Sequence, residues 1–231
     1  MAGAETPEIS VLFDLDGTLT DPFVGITRSI DHALVKLGRL SPAADDLRWC
    51  IGPPLKTSFA VLLDTEDHVL LDAAVEHYRE RYSAVGKFEN TLIDGIPAIL
   101  AELDAGGVSM WVATSKLEIS AVEIVDHFGL APHFRAVHGA KPDGRHADKH
   151  DLVGHILTAE GIRPDRAVMV GDRSHDVLAA AAHGIPTVGV SWGYGAPGEL
   201  EAAGAMSIAE VPSQVPGLVV AACRAGRPVV L

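Results

Sequence analysis

The sequence contains few cysteines and no long apolar run. Among its 231 residues the only cysteines are Cys50 and Cys223, which lie far apart and have no partner at metal-ligand spacing. This argues against a disulfide scaffold and suits a reducing compartment. No apolar stretch approaches the ~18 residues that a membrane span requires, and the first residues lack the basic and then apolar pattern of a targeting segment. We therefore expect a cytoplasmic protein with no membrane partner.

Basic residues are scarce as well. The chain has 18 Lys and Arg against 31 Asp and Glu, which gives a formal net charge of −13. Nucleic-acid binding depends largely on clustered Lys and Arg, and because no basic stripe is present we expect no nucleic-acid partner. The same acidity would repel a small anionic substrate. Such a substrate would need local positive charge from a metal ion or a positioned lysine.

Apolar residues, at 48%, are numerous enough for a sizeable core. Short apolar runs alternate with longer amphipathic stretches, a pattern that predicts strands followed by helices. The predicted strands are 9–15, 108–114, 134–139, 167–171 and 187–191, and the predicted helices are 97–105, 118–128, 149–160, 176–183 and 198–203. The alternation indicates an α/β fold with a doubly wound, Rossmann-like parallel sheet. Ligands of such sheets bind beyond the carboxyl ends of the strands.

Residues 22–89 interrupt this alternation, because they hold several helical patterns and no convincing strand. Apolar residues recur there at three- and four-residue steps. One such face consists of Phe23, Ile26, Ile30, Leu34 and Leu37, and a later one of Leu70, Ala73, Ala74, His77, Tyr78 and Arg81. We interpret 22–89 as an inserted α-helical domain, with residues 1–21 and 90–231 forming the core domain.

The segment FDLDGTLT at residues 13–20 places Asp14 and Asp16 where the first predicted strand ends. A solvated Asp-Gly turn is the simpler interpretation, but the motifs that accompany it favour a functional site. A helix-loop-helix calcium loop also begins with alternating Asp residues. That interpretation fails here, because the sixth position is Leu19 instead of Gly and the twelfth is Gly25 instead of Glu.

A second acidic motif, VGDRSHD at residues 170–176, follows another predicted strand. Gly171 permits a tight turn, and Asp172 and Asp176 lie beyond it. Magnesium prefers one or two protein carboxylates together with waters and a substrate phosphate. We therefore expect Asp14 and Asp172 to be direct magnesium ligands and Asp176 to lie just outside them. A structural ion pair between Asp176 and a lysine is the alternative.

The segment VATSK at residues 112–116 ends a predicted strand with two hydroxyl residues, Thr114 and Ser115. Hydroxyls and backbone N–H groups at the start of a helix can bind a phosphate. Hydroxyl residues also cap helices in many proteins, so this motif carries weight only together with the acidic ones.

Two lysines, Lys141 and Lys149, could neutralise a bound phosphate. Either could instead be an exposed, solubilising charge. Spacing favours Lys149, because one helix and one strand fit between it and Asp172, whereas a Pro-Asp-Gly turn separates Lys141 from that helix. Lys149 also follows Asp148, a suitable N-cap, and would therefore lie in the first helical turn.

In this order the four elements resemble the haloacid dehalogenase superfamily, whose phosphatases carry Asp-x-Asp-Gly-Thr, a strand-end Thr or Ser, a Lys and Gly-Asp-x-x-x-Asp. The resemblance implies that Asp14 attacks phosphorus. It implies that Asp16 donates a proton to the leaving oxygen and offers its backbone carbonyl to the metal. It assigns phosphate binding to Thr114, Ser115 and Lys149. Dehalogenases and ion-pumping ATPases of the superfamily lack the second Asp, so Asp16 favours a phosphatase or a mutase.

Within the superfamily the chain is similar to the phosphoglycolate phosphatase group, which carries a helical cap after the first motif, at the place of residues 22–89. Three segments are similar to a bacterial branch described as 5′-nucleotidase-like: IGPPL at 51–55, DGR at 143–145 and WGYG at 192–195. A shared cap type does not fix the substrate. In the cap we expect Arg48 and Lys56 to contact the substrate beyond its phosphate, with surface charges as the alternative.

These features predict a Mg²⁺-dependent hydrolase of a small phosphomonoester, of the phosphoglycolate or nucleoside monophosphate type, acting through an aspartyl-phosphate as a monomer or homodimer. A phosphomutase or phosphotransferase is an alternative that the sequence separates poorly. A phospho-receiver signalling module also combines an acidic cluster with a Thr and a Lys. In a receiver the lysine comes last, whereas here the second acidic motif follows both candidate lysines.

Overall fold

The computed structural model of the protein describes residues 9–225. These residues divide into two compact units, one of residues 9–19 and 93–225 and the other of Thr20–Leu92. The strands are β1 (Ser10–Phe13), β2 (Thr20–Asp21), β3 (Thr91–Leu92), β4 (Ser109–Leu117), β5 (Ala136–Ala140), β6 (Ala167–Gly171), β7 (Thr187–Val190) and β8 (Ser207–Ala209). The α-helices are α1 (Phe23–Lys36), α2 (Leu55–Leu63), α3 (His68–Ala84), α4 (Ile96–Ala105), α5 (Glu118–His127), α6 (Lys149–Ala159), α7 (Ser174–Ala182), α8 (Glu199–Ala203) and α9 (Val215–Ala225).

Six strands of the first unit form one parallel sheet in the order β5-β4-β1-β6-β7-β8. The prediction of an α/β fold with a doubly wound parallel sheet is confirmed. The chain runs from β1 outward to β4 and β5, then crosses to β6 and continues to β7 and β8. The strand order therefore reverses between β1 and β6, which is where ligands bind in open sheets of this kind.

Apolar packing holds the helices of this unit against the sheet. One core cluster joins β1, β4 and β6 to α6 and α7, and its members include Leu12, Trp111, Ala113, Leu152, Val153, Ile156, Ala167, Met169, Ala179 and Ala180. The strands are buried along apolar runs because both faces of a parallel sheet are covered. This packing fixes the axes of α6 and α7, and with them the positions of the polar residues at their first turns.

Strand β4 is longer than predicted. It continues past Thr114 to Leu117, and its pairing with β5 shifts register between Ala113 and Leu117. The prediction that this strand ends at Thr114 is therefore wrong. The TSK segment at 114–116 therefore belongs to β4, and α5 begins only at Glu118.

The second unit contains all of residues 22–89. Helices α1 and α3 pack together, and β2 pairs with β3 in antiparallel fashion, with Thr20 opposite Leu92. The chain approaches itself closely at Gly25, where a Cβ atom would lie 1.9 Å from the carbonyl oxygen of Gly86. Short 3₁₀ segments at Ala44–Cys50 and Gly86–Phe88 complete the unit.

The buried face of α3 agrees with the predicted one only at Ala74 and Tyr78. The residues that it buries are Leu71, Ala74, Tyr78 and Tyr82. Apolar residues recur at helical spacing on two neighbouring faces of this helix, and the predicted face includes Arg81. That side chain is instead engaged in an ion pair with Glu89. Among residues 9–225, no helix combines the length and the apolar character that a membrane span needs.

Candidate active site

The acidic motifs meet where the strand order reverses. Asp14 follows β1 and Asp172 follows β6, and the two strands pair in register with Phe13 opposite Val170. The pairing continues one residue further, because the Asp14 N–H donates a hydrogen bond to the Val170 carbonyl at 2.9 Å. Parallel pairing thus brings side chains far apart in sequence to one edge of the sheet.

Three carboxylates form a buried cluster at this edge. Oxygen atoms of Asp14, Asp172 and Asp176 all lie within 4.8 Å of one another. Gly171 makes room for this arrangement, since a Cβ atom there would lie 2.3 Å from an oxygen of Asp176. Burial raises the pKa of Asp172 well above its usual range, and the charges of Asp14 and Asp176 raise it further. Burial also raises the pKa of Asp176, against the opposing charge of Lys149.

Lys149 is the cation within the cluster. Its Nζ lies 2.6 Å from Asp14 Oδ1 and 2.9 Å from Asp176 Oδ1, and it donates a hydrogen bond to the Ala113 carbonyl at 2.7 Å. Burial opposes the charged form, but the two carboxylates outweigh it and raise the pKa of Lys149. The ammonium therefore stays charged at neutral pH.

Lys149 opens α6, as the spacing predicted. The Asp148 carboxylate caps this helix by accepting hydrogen bonds from the N–H groups of His150 and Asp151 at 2.9 and 3.2 Å. Lys141 lies elsewhere and pairs with Glu118 at 2.5 Å. Of the two candidate lysines, the structure brings only Lys149 to Asp14. The predicted alternative for Asp176, pairing with a lysine, is also observed.

Asp16 has a lysine of its own, Lys116, which the sequence analysis did not single out. The Lys116 Nζ lies 2.5 Å from Asp16 Oδ2, and the two side chains are 8% and 13% exposed. Burial raises the pKa of Asp16 even though Lys116 opposes the shift. A signal for Lys116 was present, because it follows the two hydroxyl residues of the VATSK segment.

Thr114 and Ser115 lie on β4, next to the end of β1. Val112 of β4 pairs with Phe13, so Thr114 lies just beyond the level of Asp14. Thr114 is buried, and its Oγ1 accepts a hydrogen bond from the Lys116 N–H at 3.3 Å. Ser115 is half-buried. Both residues therefore belong to the strand end, and neither starts α5.

The cluster has the character of a cation site. The Asp172 Oδ2 accepts a hydrogen bond from the Tyr194 N–H at 2.7 Å. Three other buried oxygens, Asp16 Oδ1, Thr18 Oγ1 and Asp172 Oδ1, have no hydrogen-bond partner within residues 9–225. Unpartnered buried oxygens beside an excess of carboxylates indicate a place for a positively charged ligand. The residues present thus fit a metal ion bound by hard oxygen ligands.

Arg48 and Lys56 lie in the second unit. The Arg48 guanidinium carbon is 5.1 Å from the ring centroid of Phe23, a cation–π contact. Lys56 is the second residue of α2, and its Nζ is 2.6 Å from Asp72 Oδ1. A role of either residue in substrate binding stays a prediction.

Comparison with known proteins assigns the family. Residues 11–190 match the haloacid dehalogenase-like hydrolase family, and the chain belongs to it. The crystal structure of a predicted phosphatase from Clostridium acetobutylicum has a TM-score of 0.88 and 37% identity, over 93% of this chain and 99% of that one.

Individual relatives carry different names. The 5′-nucleotidase of Pseudomonas aeruginosa is 43% identical over 84% of this chain and 87% of its own length. The phosphoglycolate phosphatase of Agrobacterium fabrum is 32% identical over 79% of this chain and 80% of its own length. Tyrosine-protein kinase PtkA of Mycobacterium tuberculosis is 46% identical over 83% of this chain, which spans 64% of that protein. The family and these relatives identify the chain as an enzyme, a phosphatase of the haloacid dehalogenase type.

Proposed function

We propose that the chain hydrolyses a small phosphomonoester in a magnesium-dependent reaction that passes through an aspartyl-phosphate on Asp14. The observation that carries this proposal is the buried cluster at the reversal of strand order, where three carboxylates lie together and Lys149 pairs with two of them, Asp14 and Asp176. Such a cluster combines a nucleophile, an oxygen-lined cation site and a fixed positive charge for phosphate.

Asp14 is the proposed nucleophile. One of its oxygens forms a bond to phosphorus while the bond from phosphorus to the substrate's ester oxygen breaks. Lys149, 2.6 Å from Asp14, orients this carboxylate and offsets the charge on the transferring group. A water then attacks the aspartyl-phosphate, releases inorganic phosphate and restores the Asp14 carboxylate.

Asp16 is the proposed proton carrier for both halves of the reaction. An alkoxide leaves phosphorus poorly, so protonated Asp16 gives its proton to the departing oxygen, and ionised Asp16 accepts a proton from the attacking water. The raised pKa of Asp16 suits the acid role, since burial favours the protonated form. Lys116, at 2.5 Å, opposes that shift and favours the ionised form needed for the base role.

The residues that would hold magnesium are Asp14 and Asp172, together with the backbone carbonyl of Asp16 that the family resemblance assigns. Bound magnesium would offset the negative charge that the substrate phosphate brings into an acidic cluster. Asp176 is proposed not to bind the metal directly, but to hold Lys149, whose Nζ lies 2.9 Å from Asp176 Oδ1. Thr114 and Ser115 are proposed to hydrogen-bond the phosphate from the end of β4.

The proposed substrate is of the nucleoside monophosphate or phosphoglycolate type. This proposal is supported by the relatives named 5′-nucleotidase and phosphoglycolate phosphatase. We further propose that residues 22–89 act as a cap that selects the substrate, with Arg48 and Lys56 as its contact residues. Residues 1–21 and 90–231 would then form the catalytic core.

Phosphoryl transfer to an alcohol is the second candidate. It is favoured by the 46% identity to a protein named as a tyrosine kinase, although this chain spans 64% of that protein's length. In such a transfer a hydroxyl group attacks the aspartyl-phosphate in place of water. The two functions differ only in the acceptor, and a direct assay separates them.

The test is a phosphate-release screen with magnesium over nucleoside monophosphates, phosphoglycolate, sugar phosphates and pyrophosphate. Hydrolysis of at least one phosphomonoester is expected, with loss of turnover in Asp14→Asn, whose amide is neither a nucleophile nor a good metal ligand. Circular dichroism checks that this variant is folded. Release at the wild-type rate by Asp14→Asn would refute the mechanism.

A parallel assay supplies acceptor alcohols and a tyrosine peptide with labelled ATP. The proposed hydrolase is expected to release free phosphate at a rate that the acceptors do not change. Label appearing on the peptide, without phosphate release from any phosphomonoester, would favour transfer over hydrolysis.

A further inference from the structure

Glu199, the first residue of α8, binds two segments that are distant in sequence. Its Oε1 accepts hydrogen bonds from Ser174 N at 2.7 Å, Ser174 Oγ at 2.8 Å and Arg173 Nε at 3.0 Å. Its Oε2 accepts a hydrogen bond from Ala196 N at 2.9 Å. One carboxylate thus connects the segment that follows β6 to the loop that follows β7.

These donors hold Glu199 as a carboxylate. Burial on its own would raise the pKa of Glu199, but the hydrogen bonds from Ser174, Ala196 and Arg173 lower it to about 2. Hydrogen bonds to an ionised acceptor are about twice as strong as neutral ones. The side chain is 15% exposed, and its bonds reach the N-terminus of α7 and not only its own helix. Helix capping of α8 therefore does not account for the arrangement.

Both connected segments enclose Asp172. Arg173 follows it directly, and the N–H of Tyr194, in the loop after β7, donates to its Oδ2 at 2.7 Å. A Cβ atom on Gly193 would lie 2.3 Å from that oxygen, and one on Gly195 would lie 2.5 Å from the Asp172 carbonyl oxygen. The loop after β7 is thus one wall of the space that the Asp172 carboxylate occupies.

We propose that Glu199 is a positioning residue for the metal site, because it fixes the loop at 193–196 against Arg173 and Ser174 and so orients the Asp172 carboxylate. The inference rests on the proposed function, in which Asp172 is a magnesium ligand. The Tyr194 N–H holds Oδ2 of this carboxylate. The other oxygen, Oδ1, is buried and has no hydrogen-bond partner within residues 9–225, and in this orientation it is directed toward a cation.

Groups that orient a metal ligand change affinity strongly although they do not touch the metal. Loss of such a group commonly lowers metal affinity by about 10- to 100-fold. Magnesium is sensitive in this respect because it requires nearly ideal octahedral geometry. A small rotation of Asp172 is therefore sufficient to weaken binding.

The experiment uses the full chain carrying Glu199→Gln, which preserves size and removes the charge. Glu201→Gln is the matched control, since Glu201 is an exposed glutamate on the same helix. Isothermal titration calorimetry measures the Mg²⁺ dissociation constant, and hydrolysis of p-nitrophenyl phosphate is followed against Mg²⁺ concentration. For Glu199→Gln we expect the dissociation constant to rise by about 10-fold or more. Saturating Mg²⁺ should restore kcat, and the KM for p-nitrophenyl phosphate should be unchanged. The control variant, Glu201→Gln, should match wild type in all of these quantities.

A further variant, Asp172→Asn, separates the two claims. If Asp172→Asn loses Mg²⁺ affinity while Glu199→Gln retains it, the positioning role is overturned and the proposed metal site stands. If Glu199→Gln has a lowered Tm but binds Mg²⁺ with wild-type affinity, the role of Glu199 is purely structural. That result also overturns the positioning role. If Asp172→Asn binds Mg²⁺ like wild type, the proposed metal site itself fails, and the positioning role fails with it.

Ser174→Ala covers the case in which Glu199→Gln does not fold. It removes one donor to Glu199 and leaves the carboxylate and its other bonds in place. A smaller rise of the Mg²⁺ dissociation constant, about 2- to 3-fold, is expected, as for the loss of one modest hydrogen bond. Unchanged affinity in this variant would count against the positioning role.

Discussion

Two charged clusters of the molecule differ in how their charges balance. In the first unit three buried aspartates lie together, and one lysine, Lys149, pairs with two of them. In the second unit one carboxylate, Glu89, is shared by two arginines. Arg81 donates to it with Nη1 and Nη2, at 2.7 and 3.0 Å, and Arg28 donates with Nη1 at 2.7 Å.

The difference separates a candidate functional site from a structural one. Around Glu89 the arginines lower the pKa of the carboxyl, and the cluster joins α1 to the segment after α3. Its one extra positive charge is not buried, because the Arg28 side chain is 62% exposed. Around Lys149 the carboxylates are in excess, and burial raises the pKa of Asp172. A buried surplus of charge is costly unless a ligand offsets it, so the surplus, and not charge itself, indicates the functional site.

Removing magnesium should have the largest effect of the changes considered, through the cluster of buried aspartates. Exhaustive chelation is expected to lower kcat on the order of 1000-fold, because a metal ion contributes several kcal/mol of charge stabilisation. Calcium should not restore the rate, since its larger and looser shell can bind both oxygens of Asp14 and leave a poor nucleophile. Phosphate release measured with each metal checks this, and full activity after chelation would contradict it.

Lys149→Met should have the next largest effect. The variant removes the ammonium and keeps most of the stem, and we expect kcat/KM to fall by about 100-fold, as for the loss of an electrostatic contact to the transition state. Lys141→Met is the matched control and should be nearly silent, because Lys141 pairs with Glu118 away from the cluster. Steady-state kinetics of both variants decide the assignment. A larger loss of kcat/KM in Lys141→Met than in Lys149→Met would overturn the assignment of Lys149 as the phosphate-binding lysine.

Lys116→Met should shift the pH dependence. Lys116 opposes the effect of burial on Asp16, so its removal is expected to raise the pKa of Asp16 further. More Asp16 is then protonated at a given pH, and the base role requires the ionised form. The ascending limb of the pH–rate profile should therefore move to higher pH, as expected when a neighbouring positive charge is lost. An unmoved limb would show that Lys116 does not tune Asp16.

Glu89→Gln should lower stability and leave catalysis nearly unchanged. Loss of charged hydrogen bonds to Arg81 is expected to lower the free energy of unfolding by about 1–3 kcal/mol. Because the folded-state pKa of Glu89 is lowered, this stabilisation is present at neutral pH and disappears as the pH falls below about 4.3, the ordinary glutamate value.

Thermal denaturation of Glu89→Gln at pH 7 and at lower pH measures this difference. Glu80→Gln is the control, because the Glu80 side chain is 47% exposed and its ion pairs are with two histidines, His32 and His77. A loss of kcat/KM in Glu89→Gln as large as that in Lys149→Met would contradict the contrast between the two clusters.

Much of the first unit could be predicted from sequence. Strands of a parallel sheet are buried on both faces, so β1, β6 and β7 show continuous apolar runs. The acidic motifs follow two of these runs, and parallel strands end at the same edge. The position of Lys149 was also predictable, because the cap residue Asp148 marks the start of α6.

Other features depend on tertiary packing and could not be predicted in the same way. Strand β8 is only 3 residues long, and α9 begins with Val-Pro-Gly, a sequence more typical of a turn. The β2–β3 pair has 2 residues in each strand, too few for an alternating pattern. The contact of Lys116 with Asp16 depends on the extension of β4 to Leu117, which no local pattern indicates.

The proposed mechanism requires that Asp14 carry the phosphoryl group during turnover. Acid quenching during turnover, followed by mass spectrometry of the peptide that contains residues 13–20, tests this directly. We expect one phosphoryl group on Asp14 in wild-type protein and none in Asp14→Asn. Turnover without any phosphorylated intermediate on that peptide, or a phosphoryl group at another residue, would contradict it.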